Sequence, residues 1–425
     1  MISADEALET GRKNTYDRWA AGEGSAAERI SQRLVVPFGQ QTFSAKPGDT
    51  FFAIGSCFAR NVEERLEQAG ATVTSRHIRV RDLGNKSARE GGVFNKYTPA
   101  SILQELKWSA GIEEYPEEAL LPVNKSNYYD PFLSGKAGSG TIEELMARRQ
   151  EVKEYFAQAF QADVVILTLG LIEAWIDQET GLILNEAPQP KVLARNKERF
   201  SFLKLSLEQC EEALAEIHSI LVAKGKPGQK IILTVSPVPL GRTFTADDII
   251  VANTTSKSTL RVAALRLAER TQDLDYFPSY EGVLHSDPAL SWQRDRLHVS
   301  DVVVGHIIKT FLHRYGVTQS APELLTRADS EISETDPLSP LMAQLNKDVN
   351  RYKNQVIKLQ KELRDSGAVD DNSGSENPSP MHSDPSFQKW KSEASDPEAL
   401  LHRVYREMRK YKTMVHKLQD SQKAK

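Results

Sequence analysis

The 425-residue chain carries two cysteines, Cys57 and Cys210, too few for a disulfide framework. Thiols so sparse suit a reducing compartment, and the cytoplasm is the expected location. No apolar run approaches the ~18 residues that a membrane-crossing helix needs, so no integral membrane span is expected. The opening Met1-Ile2-Ser3-Ala4-Asp5-Glu6 offers neither a basic nor an apolar region, and a secretory signal is not expected. Gly-rich phosphate loops of the P-loop or dinucleotide type are missing. The histidines, His77 and His285 among them, show no metal-ligand spacing. Neither a metal nor a nicotinamide cofactor is therefore expected. Excess positive charge is missing too: 54 Lys and Arg stand against 58 Asp and Glu, a net −4, and nucleic acid is not an expected partner.

What is present reads as a soluble α/β protein. Residues 1–45 look like an irregular lead-in with a short helix around Tyr16–Ala21. From Thr50 onward, short apolar runs alternate with amphipathic stretches. Strands are expected at Phe51–Ile54, Ala71–Ser75, Val164–Leu169, Lys230–Val235 and Asp275–Pro278. Helices are expected at Arg60–Ala69, Pro99–Ala110, Ile142–Ala162, Leu207–Ala223, Leu260–Thr271 and Val302–Tyr315. Nearly continuous apolar strands signal a sheet buried on both faces, which means parallel strands with helical crossovers. The expected fold is a three-layer α/β/α, flavodoxin-like domain with a mainly parallel sheet over residues 46–320.

Chemistry concentrates at two places. Phe51-Phe52-Ala53-Ile54-Gly55-Ser56-Cys57 runs from strand through a glycine into two small nucleophilic side chains, at the start of a helix. Free backbone N–H groups and the positive end of the helix dipole meet there. Such a setting lowers a thiol pKa and stabilises an oxyanion. Far downstream, Asp295-Arg296-Leu297-His298 is an Asp-x-x-His unit, in which the carboxylate can orient a general-base imidazole. Arg294 and Arg296 are rival partners for Asp295.

Gly55-Ser56-Cys57-Phe58-Ala59 spells a GSCFA motif, and the chain resembles GSCFA-domain proteins over roughly residues 45–315. Supporting segments follow in order: Phe94–Pro99, Thr168–Trp175, Ser236–Leu240, Asn253–Ser258, Tyr276–Glu281 and the Asp295/His298 unit. That family is similar to the SGNH/GDSL hydrolases, a group of esterases, lipases and carbohydrate O-acyl hydrolases and transferases. The resemblance implies an acyl esterase or O-acyltransferase working through an acyl-enzyme on an acylated carbohydrate or polysaccharide precursor. No cofactor is implied, and acyl-CoA is a possible donor for a transferase. Alignment on Gly55 puts Cys57 where relatives carry the nucleophilic serine, with Ser56 as the alternative. His298 would be the base and Asp295 its orienting carboxylate. Relatives add a glycine and an asparagine as oxyanion donors. Here Gly170-Leu171-Ile172-Glu173 has no asparagine at that place. Gly91, Gly92 or Asn95 remain as donors, Glu173 stands where the turn's last acid would be, Trp175 is expected to line the pocket, and Asn253 is a substitute donor. Asn253, Ser256, Lys257 and Arg261 form a polar cluster read as a loop entering a helix, either a cap or a substrate contact. The rival function is a non-catalytic carbohydrate- or partner-binding module on the same scaffold.

The tail differs from the body. Leu345, Val349, Tyr352, Val356, Leu359 and Leu363 form a heptad seam, and Val404, Met408, Tyr411, Val415 and Leu418 form a second. Helical segments are expected at 335–365 and 397–422, joined by a Ser-, Asp- and Pro-rich linker at 366–396. Residues 341–363 hold five basic against two acidic side chains, and residues 400–425 hold eight against two, so the tail is basic. Each seam is about three heptads, too short for a stable lone helix. Self-association or a protein partner through 341–363 and 400–419 is expected.

Overall fold

A computed structural model describes residues 2–20, 22, 24–35, 37–46, 48–76, 92–134 and 137–317. The heptad segments, their linker, His77 and Gly91 lie outside the described residues. In chain order the elements are α1 (Ala4–Lys13), α2 (Ala26–Ser31), β1 (Thr50–Gly55), α3 (Cys57–Gln68), β2 (Thr72–Val73) and α4 (Pro99–Ser109). Then come β3 (Leu121–Pro122), β4 (Tyr128–Tyr129), β5 (Ser139–Gly140), α5 (Ile142–Ala157), β6 (Val164–Leu169), β7 (Glu173–Asp177), β8 (Ile183–Leu184), α6 (Pro190–Arg195) and β9 (Phe200–Lys204). The last are α7 (Leu207–Lys224), β10 (Lys230–Val235), α8 (Ile249–Ala268), β11 (Leu274–Tyr276), α9 (Ser279–His285), α10 (Pro288–Ser291) and α11 (Asp301–Arg314).

The main sheet has the order β11-β10-β6-β1-β2, and every pairing is parallel. Numbered by appearance, that is the 2-1-3-4-5 order of a flavodoxin-like fold. All six residues of β6 are buried, as the lack of alternation in Val164–Leu169 implies. Phe52, Ile54, Val165, Leu167 and Leu233 pack with Ile102 of α4, Phe156 of α5, Leu214 of α7 and Leu260 of α8. Phe58, Val62 and Leu66 of α3 and Val303, Ile307 and Phe311 of α11 are buried as well, outside that cluster. Among the described residues no helix is long and apolar enough to cross a membrane.

Several boundaries depart from expectation. Residues 16–20 are not helical. Ser3 and Ser25 cap helices on either side of them, and Tyr16 stacks on Phe38 with ring centroids 4.5 Å apart. Strand Ala71–Ser75 shortens to β2, because a 3-10 turn over Thr74–Arg76 carries Ser75 to the Glu63 carboxylate. The helix expected at Leu260–Thr271 instead begins at Ile249. Asp248 caps it, accepting from the Ile250 N–H at 2.7 Å, and Thr254 and Thr255 hydroxyls bond back to the Ile250 and Val251 carbonyls. Polar side chains satisfied this way do not break a helix. Asn253, Ser256 and Lys257 therefore stand on α8, not on a loop before it. Two small antiparallel sheets, β3-β4-β5 and β8-β7-β9, had no sequence signal, since most of their strands are two residues long. The lead-in is tied to the body: the Val35 N–H donates to Ser286 Oγ at 2.9 Å and the Ala45 N–H to the Tyr315 carbonyl at 2.7 Å.

Candidate functional site

The carboxyl ends of β1 and β6 meet where the strand order reverses, the usual ligand position in such a sheet. Gly55 ends β1 with φ +148°, and a Cβ there would fall 1.9 Å from Thr168 Oγ1 on β6. Only glycine lets the turn form against β6. Ser56 then caps α3: its Oγ accepts from the Phe58 N–H at 3.3 Å and lies 2.9 Å from Ser236 Oγ, with 3% of the residue exposed. Cys57 is the first residue of α3 and opens onto a cavity of about 350 Å³.

His298 lines the same cavity. The Trp292/Val299 bridge closes a short loop, and the Gln293 N–H donates to the His298 carbonyl at 2.8 Å. At the loop's tip Arg296 has φ +54°, the one positive φ of a non-glycine among the described residues. Backbone strain of this kind clusters at functional sites. Asp295 accepts from the Leu297 and His298 backbone N–H groups at 3.0 Å each and pairs with His298 Nδ1 at 2.6 Å. Partial burial pushes the Asp295 carboxyl up, but the His298 backbone and ring and the Leu297 N–H outweigh it and hold the carboxyl below its ordinary value. With Asp295 on Nδ1, the neutral imidazole presents an unprotonated Nε2. Arg296 donates to the Pro288 carbonyl at 3.2 Å and leaves Asp295 to the histidine.

The thiol itself departs from expectation. Burial pushes the Cys57 pKa up, while the Arg60 guanidinium, the Cys57 backbone N–H and the Lys257 ammonium pull it down less strongly. Desolvation disfavours the thiolate more than the helix N-terminus favours it. Arg60 was not singled out by sequence, although the i, i+3 spacing from Cys57 on one helix is a usable signal.

The remaining candidates divide. Gly170 and Glu173 line the cavity with Cys57. The Gly170 N–H is already donated to the Tyr97 carbonyl at 3.2 Å, and a Cβ on Gly170 would lie 2.8 Å from that oxygen. Glu173 accepts from the Thr243 hydroxyl at 2.7 Å and the Phe244 N–H at 3.1 Å, which clamps the loop at the cavity rim. Gly92 and Asn95 lie off the main cavity, in a small cleft with Arg60. Asn95 Nδ2 donates to the Tyr97 hydroxyl at 3.4 Å, and burial pushes that hydroxyl to about 12, so it is protonated. Asn253 and Lys257 act from behind the lining. Asn253 Oδ1 accepts from the Leu240 N–H at 3.1 Å, and Lys257 Nζ donates to the carbonyls of Gly170 and Val238 at 2.8 and 2.7 Å. Ser256 accepts from the Ile172 N–H at 2.9 Å. One face of α8 thus holds the loops after β6 and β10.

Of the far wall, sequence reading reached only Trp175. Trp175, Phe202 and Phe244 form a three-ring cluster with centroids 5.1 to 5.8 Å apart, and Asn185, Glu186 and Arg242 add polar groups. Most of these come from β7, β8, β9 and their loops, which carried no strand signal. Among the described residues no group of three His, Cys, Asp or Glu side chains is placed to hold a metal. A model of the GSCFA family matches residues 50–311. No curated protein and no solved structure matches the chain.

Proposed function

The chain belongs to the GSCFA family, and on that premise we propose that it is an SGNH-like acyl esterase or O-acyltransferase working through an acyl-enzyme on Cys57. One observation carries the reading: Cys57, at a helix N-terminus, and an Asp295-oriented His298 line the same cavity. His298 Nε2 takes the thiol proton as sulfur attacks the acyl carbon. The tetrahedral oxyanion collapses, the ester C–O bond breaks, and the leaving alkoxide takes the proton back from the imidazolium. Water or an acceptor hydroxyl, deprotonated by His298, then attacks the thioester and frees Cys57. The Cys57 backbone N–H at the start of α3 is the first oxyanion donor. Aromatic rings beside Asn185, Glu186 and Arg242 suit an acylated carbohydrate, whose apolar face stacks while its hydroxyls are bonded. Acyl-CoA is a candidate donor for the transferase form of the reaction.

Brief exposure to an activated ester or acyl-CoA, followed by intact mass and peptide mapping, tests this. The expected result is an acyl adduct on Cys57 that is lost in His298→Ala. A second reading has its own support, since the thiol pKa is raised and the Gly170 N–H is spent on Tyr97. It is a glycan-binding module without turnover. No adduct from several donors on folded protein, together with glycan binding unaffected by His298→Ala, would favour it.

A further inference from the structure

We propose that Lys257 is the buried counter-charge of Cys57, a positioning residue whose ammonium stabilises the thiolate during attack. The inference rests on Cys57 being the nucleophile. Lys257 is fully buried, at 0% exposure. Almost every buried ammonium has a carboxylate partner, because an unpaired one is costly. Lys96 in this chain follows that rule: its Nζ reaches Glu105 Oε2 at 2.5 Å. Lys257 has no such partner among the described residues. Its Nζ instead donates to two neutral carbonyls, those of Gly170 and Val238, both on residues that line the cavity beside Cys57. An ammonium has three N–H groups, so two staple the cavity loops and one is left over.

Burial pushes Lys257 down to about 7, and the charge of Cys57 is what pulls it back up. Reciprocally, Lys257 is among the groups that favour the Cys57 thiolate. The charged and titratable groups around the pair have other partners. Asn95 bonds Tyr97, Thr243 and Phe244 bond Glu173, and Asp295 bonds His298. Across α8, Glu211 pairs with Arg266, Asp275 takes Thr42, and Glu281 takes Tyr276 and Arg261. Arg60, on α3, is the other cation acting on the sulfur, and the stronger one. In the attack step the thiol proton goes to His298 Nε2. Lys257 keeps its own protons and supplies charge alone. Below about 7 the resting amine is charged and favours thiolate. As pH rises through that value the charge is lost unless the sulfur ionises, so the two groups titrate as a coupled pair.

The rate of Cys57 alkylation by iodoacetamide against pH, in the full chain with the labelled peptide mapped, tests the pairing without any acyl transfer. Failure of the acyl-enzyme reading and failure of this inference are thereby separate results. Lys257→Met removes charge and staple. Lys257→Gln removes the charge while its amide retains two N–H donors for the carbonyls. The expected result is that both slow alkylation roughly tenfold at pH 6, where the parent lysine is charged, and by less at pH 8, where the resting amine has lost its charge. A folded Lys257→Gln protein whose profile superimposes on the parent overturns the proposal and leaves Lys257 a staple. If neither variant folds, the parent profile decides. A span broader than a single-proton titration, with a step near pH 7, supports the pairing, and a one-proton curve overturns it.

Discussion

At the scale of the residue, Ser56 and Cys57 are adjacent and do different work. Both line the cavity, but the Ser56 hydroxyl is buried and committed to the Phe58 N–H and to Ser236, while Cys57 is partly exposed. Ser56→Ala is expected to cost about 1 kcal/mol, the usual value of a helix cap, and to keep the acyl adduct on Cys57. Denaturant midpoints and mass mapping check both halves, and an adduct surviving in Cys57→Ala but lost in Ser56→Ala would reverse the roles. Asp295 makes a pH prediction. Its carboxyl is held below the ordinary 3.8, so its pairing stabilises the fold above that value and the contribution is lost as pH falls through the depressed one. Urea midpoints between about pH 5 and pH 2 should fall less steeply in Asp295→Asn than in the parent, an acid limb traceable to this carboxylate. Sequence made both positions visible because a motif and an i, i+3 spacing are local. The raised thiol pKa was not visible, since burial comes from residues far along the chain.

At the scale of the element, β1, α3 and α8 build the site. Gly55 is the hinge between the first two, with positive φ and no room for a side chain beside Thr168. Gly55→Ala is expected to destabilise by at least about 3 kcal/mol, combining a forbidden backbone region with a backbone clash. Chemical denaturation would measure it, and a loss under about 1 kcal/mol would mean that β1 and β6 separate easily. The strands of the main sheet were legible because each is an unbroken apolar run. The start of α8 was not legible. Asn253-Thr254-Thr255-Ser256 reads as a loop by composition, but every one of those side chains bonds a backbone group in the fold. The polar face that looked like a break is what grips the cavity loops.

At the scale of the whole molecule, the described residues carry their own core, and the heptad seams at 341–363 and 400–419 lie outside them. A chain ended after residue 320 is expected to keep its thermal midpoint and its Cys57 labelling and to lose self-association, measured by light scattering. Unchanged association after truncation would move the interface to the body. A monomeric full-length chain would pair the two seams with each other. What the sequence by itself determined is local and periodic: the parallel sheet, the turn at Gly55, the Asp295/His298 unit and the family. What only the tertiary structure decided depends on segments brought together from far apart. Trp175 on β7 and Phe202 on β9 meet Phe244, from the loop after β10, as an aromatic wall. Lys257 comes beneath the wall of the cavity lined by a cysteine 200 positions away, and the Gly170 N–H is used up by Tyr97. The physical reason is that burial and partner choice set charge and hydrogen bonding, and neither is a property of any short stretch of chain.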